Sequence, residues 1–427
     1  MARHRLTQAG ADCDGAALTE ISLAAYCCAS LTVLPVRRVL SAFLLAASSL
    51  GGAAQAAPFT PSSDQQVLER LPAGAADPRQ RELRELRDRW RAQPADAAAA
   101  VTLARRYFEA SAAEGDPRYV GYAQAALAPW WDKPEPPAEV RVMRAVLRQF
   151  GHEFDAALAD LSAAVRHDPG DGEAWAWQVA IRLVQAKYPQ AREACEQLAA
   201  LAEVLIGAGC RAQVDSLTGR AATAADGLRA ALLSDAAASP EQRLWSLTRL
   251  AEIEERRGRF TEAEAAFRAA LALGLPDVYL LSAYADFLLD RGRAPEVLAL
   301  LKDKERSDLL LLRLAIAGKV TGAPQAAAWA DALGARFDAA RLRGDALHQK
   351  EEARFALAVL GQPKRALPLA SANYALQREP ADARVLLEAA VAAREPAAAE
   401  PVLRWLDETG AESVVLRQLA AQLKGKS

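Results

Sequence analysis

Histidine is scarce in this chain of 427 residues: His4, His152, His167 and His348 are the full set. No two of them have the spacing that places a zinc pair on one helix face. There is no Gly-x-Ser-x-Gly elbow, and the five cysteines (13, 27, 28, 195 and 210) contain no Cys-x-x-Cys redox pair. The terminal Gly425-Lys426-Ser427 lacks the preceding glycine and the following helix that a phosphate loop needs. Asp168-Pro169-Gly170-Asp171-Gly172 lacks the alternating ligands and distant glutamate of a calcium loop, and reads as a turn. Charge of one sign is also missing. A formal net charge of −2, with basic and acidic residues interspersed, removes the footprint of a nucleic-acid or anionic-membrane binder. The basic run Arg79 to Arg91 is interrupted by Glu82, Glu85 and Asp88, as on a solvated helix face. No stretch alternates apolar and polar residues well enough to be a strand. The expectation is an all-α, non-catalytic chain with no metal and no cofactor.

What is present is a beat of small residues. Ala123, Ala157, Ala191, Ala224, Ala263, Val297, Ala326, Ala366 and Ala399 each open an amphipathic segment, at spacings of 34, 34, 33, 39, 34, 29, 40 and 33. A period near 34 belongs to helix–turn–helix repeats stacked into a solenoid, an architecture that makes binding surfaces. The clearest unit runs over 244–274. Leu247, Leu250, Ala251 and Ile253 mark one helix, Arg257-Gly258-Arg259-Phe260 breaks it, and Ala263, Phe267, Ala270 and Leu271 share one face of the next. Small residues fit where two helices cross closely, and large ones fill the groove beside the crossing.

This pattern resembles the tetratricopeptide repeat, with small residues at repeat positions 8, 20 and 27 and a proline near 32. The resemblance spans roughly residues 100–410 and is best around 138–171, 172–204 and 244–276. Arg354 stands where a small residue is expected, Val297 replaces an alanine, and 302–350 departs in spacing. The resemblance implies a right-handed superhelical solenoid of eight to nine antiparallel helix pairs; an irregular alanine-rich bundle is the other reading. A linker and helix over 57–99 precede the solenoid, and a capping helix and tail over 411–427 follow it.

Before these lies a leader, 1–56. Arg37-Arg38, the apolar run 39–50 and Ala54-Gln55-Ala56 form a secretory signal with cleavage between Ala56 and Ala57. The run is too short for a comfortable bilayer span, so stable membrane insertion after cleavage is not expected. Sec-dependent export to the periplasm follows. The 35 residues ahead of the signal are either a tolerated extension or precede a later translation start near Leu31 to Val36. In the repeat register Cys195 and Cys210 fall on neighbouring helices, so an exported chain can join them in a disulfide; two buried thiols are the alternative.

By analogy with the family, repeat positions 2, 5, 9 and 12 of each first helix face the concave side. In the unit from 244 these are Trp245, Thr248, Glu252 and Glu255; in the next, Tyr279, Ser282, Asp286 and Leu289. Trp245, Glu252, Glu255, Tyr279 and Asp286 are therefore the candidate partner-binding set, an acidic groove flanked by aromatic anchors, with packing of Trp245 or Tyr279 between repeats as the other reading. The Lys and Asn set with which some family members clamp a carboxylate is absent. The functional expectation is a periplasmic scaffold or adaptor for a protein or peptide. The alternatives are an accessory or enzymatic subunit acting on envelope polymers, and an assembly factor that oligomerises through its C-terminal helices.

Overall fold

A computed structural model describes residues 78–114, 118–344 and 348–424. The expected leader, with Ala56 and Ala57, lies outside the described residues, as do 57–77 of the expected linker and the last residues of the tail. Among the described residues there are twenty-one α-helices and no strand. No helix among them is long and apolar enough to cross a membrane.

The N-terminal part comprises α1 (Pro78–Ala92), α2 (Ala97–Glu114), α3 (Arg118–Ala126) and the short α4 (Ala128–Trp131). Regular pairs follow: α5 (Ala138–Phe150) with α6 (Phe154–His167), α7 (Gly172–Val184) with α8 (Tyr188–Leu201), and α9 (Val204–Ser216) with α10 (Ala221–Ser234). Next come α11 (Pro240–Arg256) with α12 (Phe260–Leu271), α13 (Val278–Asp290) with α14 (Ala294–Leu300), and α15 (Asp308–Thr321) with α16 (Ala326–Leu342). The last units are α17 (Gln349–Arg354), which runs into a π turn over Phe355–Val359, with α18 (Pro363–Leu376), then α19 (Pro380–Ala393), α20 (Glu400–Thr409) and α21 (Val414–Lys424). First helices stack on first helices along the chain, giving an all-α solenoid.

The repeat beat marks the second helices. All nine small residues lie on the second element of a unit, and all but Ala326 are at most 5% exposed. The irregular spacings also have a cause: α14 has only seven residues, whereas α16 runs for 17. Turns within a unit require a left-handed residue at the end of the first helix. Gly258 and Gly292 supply it at φ +77° and +70°, letting Arg259 and Arg293 donate their N–H groups to Glu254 and Leu288 carbonyls at 2.8 and 2.9 Å. Ala186 occupies the same place at φ +57° without being glycine, and Lys187 N–H still reaches Arg182 O at 2.8 Å.

Three large cores and a small fourth one around Leu311, Leu312, Leu333, Phe337 and Phe355 run through the stack. One spans 83–184 and one spans 205–317, but the third joins residues 179–214 to 353–423. The C-terminal units thus fold back on the middle of the solenoid. The buried Trp405 indole N–H donates to the Tyr188 hydroxyl at 3.0 Å, and Arg378 N–H donates to Val184 O at 2.7 Å. Ala221 N–H reaches a Glu412 carboxylate oxygen at 3.2 Å, and Val414 packs over Gly258. Helix α21, expected to close the far end of the stack, instead packs on α19 and reaches this middle region as well.

Candidate functional site

The fold-back covers part of the inner face of the first helices. Side chains from α9, α11, α13, α15, α17, α19 and α21 line one cavity of about 290 Å³. Amphipathicity explains the layout. Each first helix spends its apolar stripe on its own second helix and on its stacking neighbours, which leaves one polar line to point inward. Of the expected concave set, Glu252, Glu255, Tyr279 and Asp286 line this cavity, together with Ser282. Trp245 does not. Its ring packs against Gly209, where an added Cβ would lie 2.1 Å from Cζ3, so α9 and α11 approach too closely for a larger residue there.

The wall is not an acidic groove. Arg249, Arg256, Arg313, Lys350, Arg354 and Arg384 line it as well, and most are committed to carboxylates. Asp286 is held by two guanidiniums: Arg313 donates from Nε and Nη2 at 3.0 and 2.6 Å, and Arg354 from Nη1 at 2.8 Å, with its Nη2 2.7 Å from Oδ1. Burial opposes ionisation of Asp286, but those cations outweigh it and hold its carboxyl well below the usual range. Arg354, the residue that breaks the small-residue pattern, thereby ties α17 to α13. Arg384 chelates Asp290 at 2.6 and 2.7 Å and donates to Glu388 at 2.7 Å. Lys350 lies 3.5 Å from the fully buried Asp382 carboxylate. Burial pushes Asp382 up to about 6 in spite of the Lys350 charge.

Tyr279 is likewise committed. Its hydroxyl donates to Glu252, and Arg249 lies over its ring at 4.3 Å while bonding Glu252 at 3.1 Å. Burial raises the phenol well above its ordinary pKa.

Two wall residues stand apart from these pairs. The Glu255 carboxyl makes no hydrogen bond or ion pair among the described residues, and the nearby Arg384 is held by Asp290 and Glu388. Burial, reinforced by the Asp290 charge, pushes its carboxyl up to about 8. Among the described residues its neighbour Arg256 has no carboxylate in ion-pair contact, although the Glu252 charge acts on it: Nη2 donates to the Ser216 hydroxyl at 2.8 Å and Nε is buried without an acceptor. Burial draws that guanidinium below its usual value. On α13 the Ser282 hydroxyl is also buried and unbonded.

Cys195 on α8 and Cys210 on α9 stand 5.9 Å apart at Cα, with their sulfurs at disulfide distance. The turn at 168–172 serves as a helix start, with Asp171 accepting from Ala174 N–H. Sequence reasoning found three of the cavity's carboxylates, Glu252, Glu255 and Asp286, but missed Glu351, Glu379 and Glu388 and the whole basic side. Two signals were available: Arg354 at a small-residue position, and Arg313 as a lone charge within the apolar run Leu309–Ala317. No protein-family model matches the chain, and no curated protein matches it.

Proposed function

We propose that this chain is an exported protein of the tetratricopeptide type that acts in the periplasm as a non-catalytic scaffold. In this reading a short segment of a partner protein or peptide is held against the inner wall. The observation that carries it is convergence: first helices of successive units deliver polar side chains to one shared surface, while the second helices hold the stack together. Residues Glu252, Glu255, Tyr279 and Asp286 belong to that surface, and Trp245 supports it from behind. Helices α17–α21 already cover much of the inner face, so the guest is a short segment and not a whole helix. Support for the tetratricopeptide assignment comes from the buried small residues on every second helix but one. The cysteine pair at disulfide distance supports an oxidising compartment.

The test uses full-length protein recovered from the envelope fraction of a Gram-negative host. A photo-crosslinker at Ala283 on the inner wall is expected to capture a defined partner, and one at the exposed Leu233 is not. Capture from Leu233 alone, or a protein that stays uncleaved in the cytosol, would overturn the reading. A second reading, an enzymatic subunit acting on envelope polymers, is favoured by one group: a cavity carboxyl with a pKa of about 8, suited to proton donation at neutral pH. Turnover of purified peptidoglycan that disappears in Glu255→Gln would establish it.

A further inference from the structure

We infer that the inner cavity takes up the alkylammonium group of a lysine side chain, set against the carboxyl of Glu255. The inference rests on the reading of the inner wall as the seat of a short partner segment, and it names what that segment carries. Six cations and six carboxylates line the cavity, so its ligand is decided by which of them the chain itself leaves unmet. Glu252 is bonded by Arg249, Asp286 by Arg313 and Arg354, and Glu388 by Arg384, while Glu351 lies 3.8 Å from the Lys350 ammonium. Glu379 stands at the N-cap of α19. The Glu255 carboxyl has no such partner among the described residues. It lines the cavity from well inside the fold, and part of the residue stays open to the lumen. The adjacent Arg256 turns to Ser216 on α9 and makes no ion pair with it.

An unpaired carboxylate taken out of water is costly, and Glu255 avoids that cost by keeping its proton. A ligand cation offers an exchange: the proton leaves to solvent and the ammonium takes its place. No three His, Cys, Asp or Glu side chains among the described residues converge as ligands for a metal ion, which turns the site towards an organic cation. An ammonium is compact and brings three donors, whereas a guanidinium brings five, more than one free carboxyl satisfies. Leu217, Ile253, Leu309, Leu312 and Val385 line the same cavity and suit a methylene stem. Around Glu255 stand Glu252 from its own helix, Asp286 and Asp290 from α13, Arg354 from α17, and Arg384 and Glu388 from α19. All six are held in ion pairs of their own, so the charge that changes between pH 7 and 9 is that of Glu255. Affinity for an alkylammonium should therefore rise by about tenfold between pH 7 and 9, as a group titrating near 8 gives up its proton.

Titration of the full-length chain with n-butylammonium, followed by saturation-transfer NMR, tests this, with n-butanol as the uncharged counterpart of the same length. The expected result is saturable binding at pH 7 that tightens about tenfold by pH 9. Butanol should bind about tenfold more weakly than the ammonium at pH 9, as loss of a charge-assisted bond predicts. Glu255→Gln keeps the shape of the protonated carboxyl, so it should retain the wild-type circular dichroism. It should bind butylammonium about tenfold more weakly at pH 9 and lose the pH dependence. The wild-type pH profile and the butanol comparison decide the matter even if that variant does not fold. Affinity that is flat or falls with pH, equal binding of butanol, undiminished binding in Glu255→Gln, or no binding of butylammonium to the wild type would overturn the proposal. A segment captured from Ala283 should lose capture when its lysine is changed to glutamine. Capture that needs no lysine would overturn this proposal and leave the scaffold standing. Failure of the Ala283 crosslink with butylammonium still bound would reject the scaffold reading alone, leaving a free alkylamine as the ligand.

Discussion

Removing the carboxylate of Asp286 should be among the most damaging single changes in the inner wall. Four donor–acceptor distances of 2.6–3.0 Å join it to Arg313 on α15 and Arg354 on α17, with side-chain exposures of 22%, 10% and 16%. At an effective dielectric near 20, each charge pair is worth about 4 kcal/mol gross, and much of that is offset by desolvation of the three groups. The loss on mutation is larger than the net worth of the network, because two buried guanidiniums are left facing each other. Asp286→Ala is expected to destabilise by about 3–5 kcal/mol. Asp286→Asn should cost about 2 kcal/mol less than that, since its carbonyl oxygen still accepts a bond. Adding Arg354→Met to Asp286→Ala should recover part of the loss by removing one stranded cation. Urea unfolding followed by far-ultraviolet circular dichroism reads all three. An Asp286→Ala cost below about 1 kcal/mol would show that the network is solvated and that the ring of first helices does not depend on it.

Further outcomes follow from the same geometry. Because the carboxyl of Asp286 is held below its unfolded value, its contribution is complete above pH 4 and is lost as pH falls through the folded value. Glu255 has the opposite sign: the folded state keeps a proton that the unfolded chain releases, so stability falls as pH rises from about 4.5 to about 8. Glu255→Gln should flatten that slope in thermal melts taken across the range, and an unchanged slope would place the proton elsewhere. Ala186→Gly, at φ +57°, should stabilise by about 1 kcal/mol in urea titration, since glycine carries no penalty in the left-handed region. Gly209→Ala should destabilise by about 1–3 kcal/mol and shift Trp245 fluorescence, because the new methyl group would occupy the space of its ring. Reduction of the Cys195–Cys210 pair, which closes 15 residues, should cost about 3 kcal/mol in denaturant midpoint.

The sequence by itself determined the helix pairs. Local pattern suffices for that, because an alanine that must sit at a close crossing and a glycine that must turn left are constrained by neighbours only a few residues away. Ala263 and Gly258 announce the unit 244–274 in this way, and the register carried Cys195 to its place beside Cys210. Periodicity also put Glu252, Glu255, Tyr279 and Asp286 on one inward line, since spacing fixes which face of a helix a residue occupies.

Tertiary structure decided what that line would meet. A small rotation from each unit to the next is invisible in any one repeat, yet summed over the stack it brings Trp405 to Tyr188, 217 residues apart. The same closure sets Arg313, Arg354 and Arg384 opposite the carboxylates of α13, turning an expected acidic groove into a partly covered cavity of paired charges. Repeat spacing encodes contacts between adjacent helices and carries no term for a meeting of distant ones. The pairing of inner-wall charges, and the isolation of Arg256 and Glu255 among them, therefore exist only once the solenoid has closed.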